Sequence, residues 1–311
     1  MSNYIPTYKE TDKRGERMIV DGVFSGGGIK GFAYVGAIQA LEERSVKFRR
    51  VAGTSAGAIL AAFVAAGFNA EELEEIFDEL NVKALLDPPK GLFKFPFLKW
   101  VNLYINLGLY RGRLLEKFFQ DTLAKKGVNT FGDLPPGSLK LVASDLTNGR
   151  ILILPDDLGK YGVDSEKFPV ARALRMSCGI PFFFEPVYLK NGKGDAVVVD
   201  GGVLSNFPLW LFDSGHRERP VLGLKLSSEG GGTAPYKIDN AIDLFEALFS
   251  TMKNAHDNRY ISRRFERDII FIPVENYSAT QFDLDEEMKH KLITIGYDRT
   301  KQFLRKWSPV W

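Results

Sequence analysis

Cysteine and histidine are scarce in this chain, with one cysteine, Cys178, and three histidines, His216, His256 and His290, among 311 residues. A single cysteine excludes an intrachain disulfide, which suits a reducing compartment or a protein indifferent to redox state. Strong charge of either sign is also missing. The formal net charge is +2, so no large field directs the chain towards nucleic acid, and Arg263, Arg264 and Arg267 read as a solvated helix face. No apolar run reaches the roughly 18 residues of a membrane-spanning helix. Met1 to Arg17 is polar and lacks the apolar segment of a secretory signal. The expected location is the cytoplasm or a membrane surface, which an enzyme can occupy without a spanning helix. Internal repeats and low-complexity segments are absent too.

What is present is core material. Apolar residues make up 45% of the chain, enough to fill a large α/β domain. Short apolar runs at Met18 to Phe24, Phe48 to Val51, Leu139 to Asp145, Ile151 to Leu154, Phe184 to Leu189, Ala196 to Val199, Val221 to Leu226 and Ile269 to Val274 read as strands. Helical patterns cover Gly31 to Glu43, Ala56 to Ala66, Glu71 to Leu80, Gly112 to Lys126, Ile238 to Phe265 and Leu284 to Trp307. The second of these is apolar on every side, as a helix inside a core must be. Strands alternating with helices predict a mostly parallel sheet covered on both faces. With no linker in view, residues 18–311 read as one domain, with catalytic blocks over 19–211, further strands and helices over 212–311, and a polar extension over 1–17.

Two glycine-rich turns follow strands and precede helices. Gly53-Thr54-Ser55-Ala56-Gly57 is a G-x-S-x-G. In that setting the small flanking residues allow a tight turn that leaves a serine hydroxyl exposed as a nucleophile. The same residues are also compatible with a serine that merely caps a helix. Ser25-Gly26-Gly27-Gly28-Ile29-Lys30-Gly31 can aim successive backbone N–H groups at one point, as acyl transfer requires where oxyanion charge develops. Gly26, Gly28 and Gly31 also match the dinucleotide fingerprint G-x-G-x-x-G. The acidic residue that should close the next strand to bind a ribose is missing, because Phe48 to Val51 runs into Gly53-Thr54-Ser55.

A nucleophilic serine needs a base. His256 and His290 fall on helices, whereas His216, in the loop Asp213-Ser214-Gly215-His216, follows the serine in the order Ser, Asp, His and permits a triad. The alternative is Asp200, which ends the apolar run Val197-Val198-Val199 before Gly201-Gly202. Desolvation there would raise its basicity enough to accept the serine proton directly. A turn residue satisfying the Gly201 and Gly202 backbone would use the same side chain differently.

Taken together, Gly26-Gly27-Gly28-Ile29-Lys30-Gly31, Gly53-Thr54-Ser55-Ala56-Gly57 and Asp200-Gly201-Gly202 resemble the patatin-like phospholipases, block for block and in order, over roughly Ile19 to Leu211. The resemblance implies a three-layer α/β fold and a Ser55–Asp200 dyad without catalytic histidine. It further implies an oxyanion hole from Gly26, Gly27, Gly28 and Lys30, and acyl esters of phospholipids or related lipids as substrates. No cofactor or metal is expected. Lys30 stands where the family more often has arginine, so the charge is kept without the planar fork. Ala143 to Gly149 resembles a further family segment, in which Asp145 reads as structural.

The lipid end of the reading rests on aromatics. Phe93, Phe95, Phe97 and Trp100, interleaved with Lys94 and Lys99, suit an interfacial flap as well as a loop folded over the core. Phe182 and Phe183, after Gly179-Ile180-Pro181, suit the lining of an acyl channel as well as a core strand. The competing readings are a dinucleotide-binding protein and a Ser-His-Asp esterase on soluble esters.

Overall fold

The computed structural model describes residues 18–88, 103–191, 194–213, 218–227, 238–239, 244, 247–253, 266–274 and 285–308. The extension 1–17, the aromatics Phe93, Phe95, Phe97 and Trp100, His216, His256 and most of the helix expected over 238–265 lie outside these residues.

In chain order the elements are β1 (Met18–Phe24), α1 (Ala33–Glu43), β2 (Val46–Thr54), α2 (Ala56–Ala66), α3 (Ala70–Asp78), β3 (Gly108–Tyr110), α4 (Arg113–Ala124), β4 (Leu139–Asp145), β5 (Arg150–Leu154), α5 (Val170–Ser177), β6 (Phe182–Phe184), β7 (Val187–Asn191), β8 (Gly194–Asp200), β9 (Val221–Ser227), β10 (Ile269–Pro273) and α6 (Glu286–Leu304). The main sheet runs β10-β9-β1-β2-β4-β8-β7, with β5 also on β4. β10, β9, β1, β2 and β4 are parallel to one another, while β8 and β5 run antiparallel to β4. With helices on both faces this is a three-layer α/β fold, as the alternation of elements predicted.

The helices that carry the site are held by sequence-specific packing. α2 packs on β1, β2 and β4, and its Ala58, Leu60, Ala61, Ala62 and Phe63 are all buried, in keeping with an all-apolar sequence. α1 crosses α6 at backbone contact: a Cβ on Gly36 would lie 1.9 Å from the Ile293 carbonyl oxygen, and one on Gly296 1.7 Å from that of Ala33. Asp21, buried within β1, is neutralised by Arg50 from β2, whose guanidinium lies 2.5 Å away.

Three departures from the sequence reading have physical causes. The segment expected as a single strand from Phe184 to Leu189 is broken into β6 and β7 at Glu185-Pro186, since proline supplies no N–H for a ladder and the Glu185 N–H goes instead to the Tyr110 carbonyl at 2.8 Å. The helix expected from Gly31 begins at Ala33, because a 3₁₀ turn, Gly28–Phe32, intervenes. Helix α5 and strand β3 carry too few residues for their periodicity to be legible.

Candidate active site

The register of β4 governs what meets at the head of the sheet. β2 pairs with the first part of β4, Thr54 beside Val142, and β8 pairs with the last part, Asp200 beside Ala143. Both pairings overlap with that of β5, which takes Leu141 to Asp145, so β5 occupies one edge of β4 while β2 and β8 share the other. β2 and β8 therefore run towards each other along one edge and their C-terminal ends abut. Ser55 follows the first strand and Asp200 ends the second. The contact is close: a Cβ on Gly201 would lie 2.3 Å from the Val142 carbonyl oxygen and 2.9 Å from Thr54 Cγ2.

Ser55 has φ 53° and ψ −122°, a strained conformation for a residue with a side chain. It stands at the start of α2, yet its hydroxyl makes no capping bond to that helix. The turn is tight enough to require the flanking glycine, since a Cβ on Gly57 would lie 2.2 Å from the Phe24 carbonyl oxygen. The nucleophile candidate is only 8% exposed.

Asp200 is buried, and its Oδ1 accepts the Gly202 N–H at 2.7 Å. Its Oδ2, also buried, meets no hydrogen-bond donor among the described residues. Desolvation pushes the carboxyl up to about 6 from the ordinary 3.8, against the lowering influence of the Gly202 N–H, the Ser55 hydroxyl and Lys253. Ser55 is thus close enough to stabilise the Asp200 charge while no hydrogen bond between the two is formed. The Asp200 side chain satisfies its own turn and still presents an oxygen to Ser55.

The glycine loop abuts both residues. A Cβ on Gly26 would lie 2.4 Å from Asn206 Oδ1 and 3.2 Å from Ser55 Cβ, and Gly28 adopts a left-handed φ of 58°. The backbone donors divide. The Gly26 N–H bonds the Asn206 carbonyl at 3.0 Å and the Lys30 N–H the Gly27 carbonyl at 3.3 Å. No acceptor among the described residues takes the N–H of Gly27 or Gly28. Ser25 anchors the loop: its Oγ accepts the Leu226 N–H at 3.0 Å, and the Tyr34 hydroxyl donates to its carbonyl at 2.6 Å. The Lys30 side chain is half-buried.

One segment the sequence reading passed over joins the two halves. Ser177 Oγ accepts the Ser55 N–H at 3.0 Å and donates to the Val142 carbonyl at 2.6 Å. The Cys178 thiol donates to the Ser55 carbonyl at 3.4 Å, and the Gly179 carbonyl accepts the Asp200 N–H at 2.9 Å. Burial holds the Cys178 thiol well above its usual range, so it remains a protonated donor. The available signal was a buried-type run, Met176-Ser177-Cys178, interrupted by one hydroxyl just before Gly179-Ile180-Pro181. Phe249 and Lys253, from the helical residues 247–253, also approach: the Phe249 ring lies 3.2 Å from where a Gly202 Cβ would sit.

The remaining sequence candidates are spread out. Phe182 is exposed, Phe183 is half-buried with its ring 4.8 Å from that of Tyr110, and Phe184 is buried. Asp145 is buried in a network of Asn148, Tyr161 and Arg150 that holds its carboxyl below the usual range despite desolvation. His290 lies on the exposed side of α6, the helix that packs on α1.

Comparison with known proteins bears on this arrangement. The family model for Patatin-like phospholipase matches residues 22–213, which contain all three glycine blocks. The chain belongs to the patatin-like phospholipase family. It is a lipid acyl hydrolase. Among relatives, an uncharacterised Bacillus subtilis protein, YqhO, is 52% identical over 291 residues, covering 94% of this chain and all of that protein. An Escherichia coli cUMP-AMP-activated phospholipase is 28% identical over 195 residues, 59% of this chain and 54% of that one. Among solved structures, VipD from Legionella pneumophila superposes with a TM-score of 0.55 at 20% identity, covering 94% of this chain and 67% of that one, which shows a shared patatin-like fold. None of the described helices is long and apolar enough to cross a membrane.

Proposed function

We propose that this patatin-like phospholipase cleaves acyl ester bonds of phospholipids or related lipids through a Ser55–Asp200 dyad, with the Gly27 and Gly28 N–H groups as the oxyanion hole. The observation that carries the reading is the buried Asp200 Oδ2, without a hydrogen-bond donor among the described residues, at the point where β2 and β8 abut, with the Ser55 hydroxyl beside the carboxyl. Asp200 takes the hydroxyl proton as Ser55 Oγ attacks the acyl carbon. The tetrahedral oxyanion forms against the glycine loop. Collapse breaks the ester bond, and the leaving alcohol takes the proton back from Asp200. Water, deprotonated by the same carboxylate, then releases the fatty acid from Ser55.

Fluorophosphonate labelling followed by peptide mapping tests the nucleophile. The label is expected on Ser55 alone, and labelling elsewhere, or NAD binding in the micromolar range without ester hydrolysis, would overturn the assignment. The narrowed oxyanion hole makes its own forecast. Gly27→Pro deletes one donor and is expected to lower kcat by roughly 10²–10³ with little change in KM, because the charge exists only in the transition state. Gly27→Ala keeps the N–H, and its methyl meets only the flexible end of Leu226, so its loss stays within about tenfold. Proline also imposes a φ near −65° where Gly27 has −176°, so circular dichroism must show an intact fold beside the kinetics.

Ser177 acts through Ser55 as a positioning residue. Ser177→Ala leaves the Ser55 N–H and the Val142 carbonyl without their partner and releases the strained turn. The expected result is a fall in kcat of about ten- to a hundredfold at nearly constant KM, with partial rescue by Ser177→Thr. Equal kcat in parent and alanine variant would remove Ser177 from the machinery.

A further inference from the structure

We infer that the small sheet of β3 and β6, with residues 104–107 in front of it, is the surface by which this protein docks onto a phospholipid bilayer. The inference rests on the lipid-hydrolase reading of the site and adds where the substrate's membrane is met.

Three large apolar side chains are exposed there, Tyr104 at 87%, Ile105 at 67% and Leu107 at 42%, and Phe182 beside them is 49% exposed. Gly108 pairs with Phe182 across the two strands, so these residues belong to one locality. Large apolar side chains exposed together in one locality are unfavourable in water and mark an interaction surface. The backbone adds a second observation. Leu107 has φ 58° and Phe182 φ 63°, a left-handed region that bulky residues rarely adopt. The fold thus spends conformational energy to hold two apolar side chains outward, a cost expected where strain serves a function.

The base beneath them is rigid. Buried Arg175 of α5 donates to the carbonyls of Gly112 at 3.1 Å, Arg111 at 3.0 Å and Glu185 at 2.5 Å, and its guanidinium lies 4.9 Å from the Phe184 ring centroid. One side chain thereby pins the end of β3 and the end of β6 to the helix that also carries Ser177. The route from this surface to the chemistry is short. Ser177, Cys178 and Gly179 hold the backbones of Ser55 and Asp200, and Phe182 follows three residues later. Ser55 is itself buried, so an acyl chain must leave the bilayer and enter the protein, and an apolar contact beside the site shortens the passage through water. A bilayer suits a patch of this kind, whose aliphatic and aromatic side chains enter the boundary between headgroups and acyl chains.

The test uses the full chain and vesicles of phosphatidylethanolamine and phosphatidylglycerol in equal parts. The variant Ile105→Asn/Leu107→Asn removes apolar surface, and asparagine tolerates the left-handed backbone at 107. It is expected to bind the vesicles, and to release fatty acid from them, at least about tenfold less well than the parent, while a soluble short-chain p-nitrophenyl ester is cleaved within about twofold of the parent. Ile105→Asn alone, at an unstrained position, guards against misfolding and should show the same split at about threefold or more. If both variants bind and cleave vesicles like the parent, the docking surface is wrong. It is equally wrong if light scattering finds the parent dimeric and the variants monomeric, because a second copy then covers the patch. A parent that binds vesicles through these residues but cleaves no ester would uphold the docking and defeat only the hydrolase reading.

Discussion

Ser55→Ala is expected to abolish fluorophosphonate labelling and to lower ester hydrolysis by about five orders of magnitude or more, the scale seen when a serine nucleophile is removed from its catalytic unit. The variant should fold normally, and the structure says why. Serine and alanine both carry a Cβ, so the strain at φ 53° is unchanged, and the Ser55 N–H and carbonyl keep their bonds to Ser177 and Cys178. What disappears is a buried hydroxyl with no formed hydrogen bond, so thermal stability should hold or rise slightly. Circular dichroism and a melting curve, read beside the kinetics, separate lost chemistry from lost structure. Residual hydrolysis within tenfold of the parent, on intact protein, would remove Ser55 from the mechanism.

Asp200→Asn is expected to cost at least about three orders of magnitude in kcat, because asparagine can accept the Gly202 N–H but cannot take a proton from Ser55. The pH profile carries the same information. With its carboxyl near 6, Asp200 is protonated and inactive in acid, so kcat/KM should climb through about pH 6 and level off above it. Stability moves the other way. A folded value raised above the unfolded one means that the native state binds the proton more tightly. This contribution is fully present below about pH 4 and lost as pH rises through about 6. Asp200→Asn removes that loss and should be more stable than the parent at neutral pH, by at most about 3 kcal/mol, with a flatter dependence between pH 4 and 6. His290→Ala should leave turnover intact. If His216→Ala alone stopped turnover without unfolding the protein, a triad would replace the dyad.

The parts of this fold that were legible in the sequence are those whose causes are local. A glycine-serine-glycine turn between an apolar strand and an apolar helix reads directly, because the collision that excludes a larger residue at Gly53 is with Gly57, four residues on. Asp200 was legible as a carboxylate ending an apolar strand, but the route by which it reaches Ser55 was not. Reading β8 as one more strand of a mostly parallel sheet gives no hint that it runs back along the edge of β4 to face β2. That depends on register between segments distant in sequence. The division of the glycine loop into used and open donors was hidden for the same reason, since the Gly26 N–H is taken by Asn206, far along the chain. Ser177 escaped because a lone serine in a short helix is unremarkable until its partner is known. Leu107 escaped because apolar residues read as core, and only its exposure reveals otherwise, whereas Phe182 was read as suiting an acyl channel or a core strand.

The end-to-end meeting of β2 and β8 also has a consequence for biosynthesis. A chain that emerges from the ribosome N-terminus first presents Ser55 long before Asp200. At the usual pace of translation the delay is on the order of ten seconds. Throughout that interval β2 can pair with β1, yet the upper half of the β4 edge is vacant and the serine has no base. If Asp200 is the base for Ser55, as proposed, the nascent polypeptide is therefore inactive on lipid while it is being made. On that reading competence arrives only when a strand from the far side of the sequence closes the gap, so a C-terminally truncated product ending before β8 would lack the base, and with it β9 beside β1, and is expected to show no activity.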